Sequence, residues 1–403
     1  MKRINKPERL QGIIPSDIRR LFSLAQSIPG VISLGIGEPD SLPPPHIRDA
    51  AKRALDEGQT HYMPTAGTLE LRNALTEKAR HDYHLQYDPT SEVLVTIGGT
   101  EAIFLALLTL IEPGDEVLIP NPGFVCYRPS VLMAGGIPVS MPLLEENNFT
   151  LNAETVMPLI TDKSRVILIN TPNNPTGSVF PYNDLAGLAK LAVERDLVVI
   201  SDEVYEKITY DNSRHHCLAT FPNMHERTVI VNSFSKTYAM TGLRVGYALG
   251  PESLITPMIL AHQFITACVS GPAQYAAVAA LNGPQDFVRD MVKEFERRRR
   301  LLHTRLNEIE GFKALLPKGA FYIFVDIRAF SRPSREFASY LLDKARVLTV
   351  AGSAFGEYGE GYLRLSYASA YEKIEEALDR VEETVKGSKL QVLPSQEDCQ
   401  VLS

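Results

Sequence analysis

Four cysteines are few for 403 residues, and Cys126, Cys217, Cys268 and Cys399 lie far apart with no Cys-x-x-Cys pair among them. That scatter excludes a disulfide framework and a thiolate zinc site, and it fits a reducing cytoplasm. Positive charge is also short: 41 Lys and Arg against 48 Asp and Glu leave a net −7, which gives no electrostatic reason to expect nucleic acid or an anionic membrane as partner. The one dense basic run, Arg297-Arg-Arg-Arg300, sits in a charge-rich helical stretch from Asp286 to Glu310 and is expected to be a solvated helix face. His81, His84 and the pair His215-His216 lack Cys or carboxylate neighbours at metal-ligand spacing, so they are read as surface histidines and no metal is expected. No long apolar run follows the polar, basic Met1–Leu10, so neither a signal peptide nor a membrane span is expected.

What is present is an ordinary globular composition, 44% hydrophobic and 22% charged, in a chain long enough for one large domain and a smaller one. A short amphipathic helix is expected over Ser16–Gln26, then a brief strand at Val31–Leu34. Helices are expected from His46 to Gly58 and from the loop His61–Gly67 to His81. A strand-helix rhythm follows: strands at Val93–Thr96, Glu116–Ile119, Arg165–Ile169, Leu197–Ile200 and Thr228–Val231, with helices at Thr100–Leu110, Phe124–Ala134 and Asp184–Arg195 between them. Continuous apolar strands separated by helices indicate a mostly parallel α/β sheet covered on both faces, and such sheets bind ligands beyond the carboxyl ends of their strands.

The residues just past those ends are polar and mutually suited. Gly98-Gly-Thr100 opens a helix, where free N–H groups and the helix dipole favour a phosphate. Asn170-Thr-Pro-Asn-Asn-Pro-Thr-Gly177 follows one strand, Asp202 and Tyr205 another, and Ser233-Phe-Ser-Lys236 a third, with Arg244 opening a further strand-like run at Val245–Leu249. Two serine hydroxyls and a guanidinium suit a phosphate, which leaves Lys236 to form a Schiff base with an aldehyde. A phosphate and an aldehyde together describe pyridoxal phosphate. Taken alone, Ser-x-Ser-Lys is usually a solvated turn. It also matches the Ser-x-x-Lys of serine acyl-enzymes, but the further Ser-Asp-Asn and Lys-Thr-Gly elements of those enzymes are missing. Gly35-Ile-Gly37 lacks the third glycine and following helix of a dinucleotide fingerprint, so Gly37 is read as a point where backbone approaches a ligand closely.

With these motifs in this order, and with His61-Tyr-Met-Pro-Thr-Ala-Gly67 and Tyr362-Leu-Arg-Leu-Ser366 flanking them, the chain from Val31 to about Val385 resembles the class I aminotransferases of the fold-type I pyridoxal phosphate enzymes. The likeness is greatest to prokaryotic aromatic and aspartate aminotransferases. The resemblance implies that Lys236 holds the cofactor as a Schiff base and then shuttles the proton at the substrate α carbon. It implies that Asp202 keeps the pyridine nitrogen protonated, that Asn174 and Tyr205 bond the ring hydroxyl, and that Phe124 stacks on the ring. Gly99, Thr100, Ser233, Ser235 and Arg244 would bind the phosphate, with Tyr62 arriving from the second subunit of a homodimer. Arg364 would clamp the substrate α-carboxylate, aided by the Gly37 N–H and Asn174.

Three further expectations complete this reading. Residues 46–283 form the large cofactor-binding domain, 1–45 and 284–386 a smaller discontinuous α+β domain that closes over substrate, and 387–403 a tail without assigned function. The small domain is expected to hold a long charged helix, a strand at Gly319–Asp326, a helix at Ser334–Ala345, strands near Val347 and Leu363, and a helix from Tyr371 to Lys386. Some aspartate-preferring relatives carry a lysine where Thr100 stands, so an aromatic donor with 2-oxoglutarate as acceptor is expected, ahead of aspartate or another aliphatic donor. Two other classes share parts of this pattern. A carbon-sulfur lyase or aminocyclopropane synthase would share the cofactor site, and a ligand-sensing regulator would need a DNA-binding module that is not appended here.

Overall fold

The computed structural model describes residues 7–13 and 28–387; the helix expected over Ser16–Gln26 and the tail from residue 388 onward lie outside them. After a two-residue strand β1 (Ile32–Ser33), the chain builds a large sheet from β2 (Val93–Thr96), β3 (Glu116–Asn121), β4 (Ile137–Pro142), β5 (Ser164–Asn170), β6 (Val198–Asp202), β7 (Thr228–Ser233) and β8 (Gly246–Leu249). The seven strands lie in the order β2-β8-β7-β6-β5-β3-β4. β5, β6 and β7 are buried almost throughout, which is what helices on both faces demand of a parallel strand and why these stretches read as unbroken apolar runs.

Two features depart from the expected pattern. β8 runs antiparallel to both β2 and β7, so the sheet is mixed at one end. β4, parallel to β3, was not expected as a strand at all, because Pro138 and Pro142 interrupt its apolar pattern. Such prolines are tolerated because β4 is an edge strand. The helix expected from Thr100 begins at Gly98, and the one expected from Phe124 begins at Tyr127.

The later chain adds β9 (Lys313–Ala314), β10 (Tyr322–Asp326), β11 (Val347–Leu348), β12 (Val350–Ala351) and β13 (Tyr362–Ser366). β12-β13-β10-β9 form an antiparallel sheet, and β1 pairs in parallel with β11. Helices Asp286–Glu308, Ser334–Lys344 and Tyr371–Lys386 accompany this sheet, whose core includes Phe295, Phe321, Phe337, Leu363 and Ile374. The Gly177 carbonyl ties this sheet to the large one, accepting the N–H groups of Lys318 and Gly319 at 2.9 Å each. The Arg297–Arg300 run is not the uniformly solvated face that was expected. Arg299 is fully buried, bonded to Asp211 (2.6 Å) and the Pro317 carbonyl (2.5 Å), with its guanidinium 4.5 Å from the Tyr210 ring centre. Four consecutive helical residues sweep roughly 300° of the helix circumference, so a run of identical charges cannot all face water on a packed helix.

Candidate active site

Asp202 is the last residue of β6 and is buried at 3% exposure. The Tyr127 hydroxyl donates to its Oδ2 at 2.6 Å. Burial nevertheless dominates and raises the carboxyl pKa to about 6. Asn170 ends the adjacent β5. Its amide donates to the Asp202 carbonyl at 3.0 Å, and its Oδ1 accepts the Asn174 N–H at 2.9 Å, so one side chain fastens the loop carrying Asn174 to the end of β6.

Lys236 lies just past β7, in the turn Phe234–Thr237 whose first N–H groups are met by Ser233 Oγ. Its amine is buried and donates to the Gly37 carbonyl at 2.6 Å. Burial lowers its pKa to about 8, helped by the nearby positive charge of Arg364 and Arg244. Arg364, central in β13, is also buried. Its guanidinium donates to Asn174 Oδ1 (3.0 Å) and the Gly35 carbonyl (2.7 Å), and lies between the rings of Tyr322 (4.4 Å) and Phe355 (4.9 Å). Its Nε has no partner among the described residues, and no carboxylate pairs with it there. A buried cation held only by neutral groups is costly, which suits a site that receives an anion. The alternation of Arg364 with Leu363 and Leu365 does not make it solvent-facing, because β13 is buried on both faces. Tyr205 and Tyr322 join hydroxyls at 3.0 Å, and a side chain at Gly37 would collide with the Tyr322 hydroxyl.

A few residues away, Gly98 (φ +75°) and Gly99 open the helix Gly98–Leu110, and the Arg244 guanidinium lies so close that a Cβ at Gly98 would strike it. Among the described residues Arg244 bonds only backbone carbonyls, of Thr241 (3.0 Å) and Ile97 (3.5 Å), and is exposed, so its fork is available. Ser233 and Ser235 place their hydroxyls 2.8 Å apart. Thr100 is exposed at the same helix start. Phe124 packs edge-on against Tyr127 with ring centres 5.7 Å apart. Tyr62 is 91% exposed and stands apart from this assembly within the chain.

The arrangement supplies free helix N–H groups and an available guanidinium for a phosphate, and a lowered-pKa amine and a buried acid for amine chemistry. These residues fit pyridoxal phosphate. The family "Aminotransferase class I and II" matches residues 29–381. The chain belongs to it. Aromatic-amino-acid aminotransferase 2 of Thermococcus litoralis is 47% identical over 95% of this chain and 99% of its own length. An aspartate aminotransferase of Pyrococcus abyssi is equally 47% identical, over 95% of this chain and 99% of its own length. The crystal structure of an aromatic aminotransferase from Pyrococcus horikoshii superposes with a TM-score of 0.88 at 47% identity, covering 93% of this chain and 100% of that one.

As a class I and II aminotransferase, the chain is an enzyme that transfers nitrogenous groups, and the family uses pyridoxal phosphate. No helix among the described residues is long and apolar enough to cross a membrane. Two residues of the site, Tyr127 and Tyr322, were not anticipated from sequence, and Asn170, which opens the Asn170–Gly177 motif, was given no role of its own. Tyr127 is three positions past Phe124 and Tyr322 lies in an aromatic run, so neither carried a charge or glycine signal. His215 corrects the surface reading: its side chain is 5% exposed and its Nε2 faces Glu203 Oε2 at 2.9 Å, across a sequence separation that spacing rules do not span.

Proposed function

We propose that the chain is a pyridoxal-phosphate-dependent aminotransferase that takes an aromatic amino acid as donor and 2-oxoglutarate as acceptor. The observation that carries the cofactor reading is the pairing of two cations that lack carboxylate partners among the described residues, the partly buried Lys236 and the buried Arg364, with the buried acid Asp202. Bound here, the cofactor would supply an aldehyde that condenses with amines and a ring that accepts electrons from the substrate α carbon. Lys236 offers its amine to that aldehyde and later moves the α proton. Asp202 holds a proton on the ring nitrogen, and Tyr127 orients Asp202. Asn174 and Tyr205 bond the ring hydroxyl, and Phe124 covers one ring face. Gly99, Thr100, Ser233, Ser235 and Arg244 hold the phosphate. Arg364 takes the substrate α-carboxylate with Asn174 and the Gly37 N–H, and the Tyr322 and Phe355 rings pack against its planar guanidinium. In this reading residues 46–283 form the large domain, 1–45 with 284–386 the closing small domain, and the enzyme works in the cytoplasm.

Donor choice rests on Thr100. It has no charge for a distal carboxylate, and leaving a carboxylate unpaired in a pocket costs several kcal/mol, about 2 or more by transfer scales. The similar relatives carry both aromatic and aspartate names, so aspartate is the second reading. A donor and acceptor screen with added cofactor tests the reaction, and the kcat/KM ratio for phenylalanine or tyrosine over aspartate tests the preference. An aromatic excess is expected. A preference for aspartate of about tenfold, about 1.4 kcal/mol of transition-state binding, would reverse it.

In this reading Tyr62, 91% exposed, would reach a second copy's phosphate, and Leu260, Phe264 and Ile265 are exposed apolar side chains at 60%, 81% and 52%. A homodimer with shared sites is therefore expected at assay concentration. Sedimentation of a fully active monomer would rule it out.

A further inference from the structure

Where β6 ends, the chain alternates between two environments. Asp202 and Tyr205 turn to the site described above, while Glu203 and Glu206 enter a second buried cluster. Glu203 is fully buried: its Oε1 accepts from Ser201 Oγ at 2.8 Å and its Oε2 faces His215 Nε2 at 2.9 Å. Glu206 Oε1 meets Lys78 Nζ at 2.6 Å. Lys78 also meets Asp82 (2.9 Å), which takes Lys207 as well (2.8 Å). Tyr83 stands edge-on to His215, with Lys78 5.2 Å from the Tyr83 ring centre, and Cys217, Tyr238 and Tyr247 face the same cluster.

Three carboxylates here, Glu203, Glu206 and Asp82, face two lysines and two histidines, His215 and His81, whose Nδ1 lies 3.0 Å from Asp82 Oδ1. Burial opposes the charge of His215, but Glu203 outweighs burial and leaves the His215 pKa raised. Ligand atoms of Glu203, Glu206 and His215 lie within 4.8 Å of one another. The backbone between Asp202 and Tyr205 leaves the sheet in a turn, with Glu203 N bonded to the Val231 carbonyl (2.8 Å) and Glu206 N to the Glu203 carbonyl (2.9 Å). The Asn170 amide donates to the Asp202 carbonyl (3.0 Å) and Ile208 N to the Tyr205 carbonyl (2.8 Å), and the two glutamates add side-chain ties on the opposite side from the site.

We propose that Glu203 and His215 are positioning residues: their buried ion pair pins the turn from behind and so sets how Asp202 and Tyr205 present themselves to the cofactor. The proposal rests on the roles given to Asp202 and Tyr205 above. Its structural basis is the interleaving of tied and site-facing residues over five positions, Asp202 to Glu206.

The test uses the full-length holoenzyme. Glu203→Gln keeps the size and the Ser201 bond but removes the ion pair. It is expected to lower kcat about tenfold with KM for the amino acid within about twofold, and to move the pH midpoint of the bound cofactor's visible absorption by about half a unit. A purely structural role would lower Tm and leave that midpoint in place. If Glu203→Gln does not fold, His215→Gln, which keeps an amide donor toward Glu203 without its charge, carries the test, with a loss of about threefold and a midpoint shift of the same sign. Wild-type kcat and midpoint in either folded variant would overturn the proposal. So would Zn²⁺ or Mn²⁺ raising the Tm of wild type but not of His215→Gln, because the cluster would then be a metal site. The underlying reading fails separately: an active Asp202→Asn enzyme would remove it, whereas an inactive Asp202→Asn beside a wild-type-like Glu203→Gln would remove only this inference.

Discussion

Lys236→Ala should leave no turnover above background, a loss of about ten-thousandfold or more, in a protein that still carries cofactor through gel filtration. The groups proposed to hold the phosphate, Gly99, Thr100, Ser233, Ser235 and Arg244, do not depend on Lys236, so ligand retention and chemistry should separate. The environment of the amine adds a second readout. With its pKa lowered to about 8 by burial and by Arg364, about one amine in ten is unprotonated at pH 7, against about one in three thousand at the ordinary value of 10.5. Capture of cofactor by the apo-protein should therefore quicken about fivefold between pH 7 and 8 and level off above about pH 9. Stopped-flow absorbance checks this. Full activity in cofactor-replete Lys236→Ala removes the central assignment, and a capture rate that climbs without a break to pH 10 removes the lowered pKa.

Asp202→Asn should cost at least about a thousandfold in kcat/KM, about 4 kcal/mol, and yet make the apo-protein more stable at neutral pH. The Asp202 pKa rises from 3.8 unfolded to about 6 folded, so the folded state binds its proton more tightly than the unfolded chain does. The stability that proton gives is fully present below pH 3.8 and is lost as pH rises through 6, leaving the apo-protein about 3 kcal/mol weaker at pH 7.5 than at pH 3.8 from this group alone. Asparagine avoids that loss and can still exchange a hydrogen bond with the Tyr127 hydroxyl. Calorimetry of the apo-proteins should show the variant melting higher at pH 7.5, with the gap closing toward pH 4. Added cofactor should reverse the order, since a protonated ring nitrogen would offset the Asp202 charge. A variant within about tenfold of wild-type activity would show that no ring cation needs Asp202.

The sequence pattern was most legible where burial is symmetric. β5, β6 and β7 are covered on both faces, so their residues are apolar in unbroken runs, and the polar residues that gather at one pocket stand directly after them. Strand direction left no such trace: β8 reads like its neighbours but runs the other way. Partnerships across long separations were equally silent. Tyr127 meets Asp202 across 75 positions, Arg364 meets Gly35 across 329, and Glu203 meets His215 across a loop, and nothing local to either member marks the pair. The burial of Arg298 and Arg299 went unseen for the opposite reason, because a conspicuous local pattern, four arginines, concealed the two that helix geometry turns inward.

The prolines of β4 bear on how copies of this protein meet in a concentrated solution. Ile137 N donates inward to the Asp115 carbonyl and Leu143 N to the Asn121 carbonyl, so the residues of that parity face β3. The outward N–H positions are then 138, 140 and 142, and two of the three are proline and have none to offer. At the far end of the sheet, the Ala66 carbonyl already takes the Val95 N–H of β2 at 3.0 Å. A stray extended segment therefore finds few free N–H donors along β4 on which to add itself, which makes that edge a poor seed for fibrous aggregation. Contacts between copies are left to side chains such as Leu260 and Phe264, whose fit can select one partner orientation.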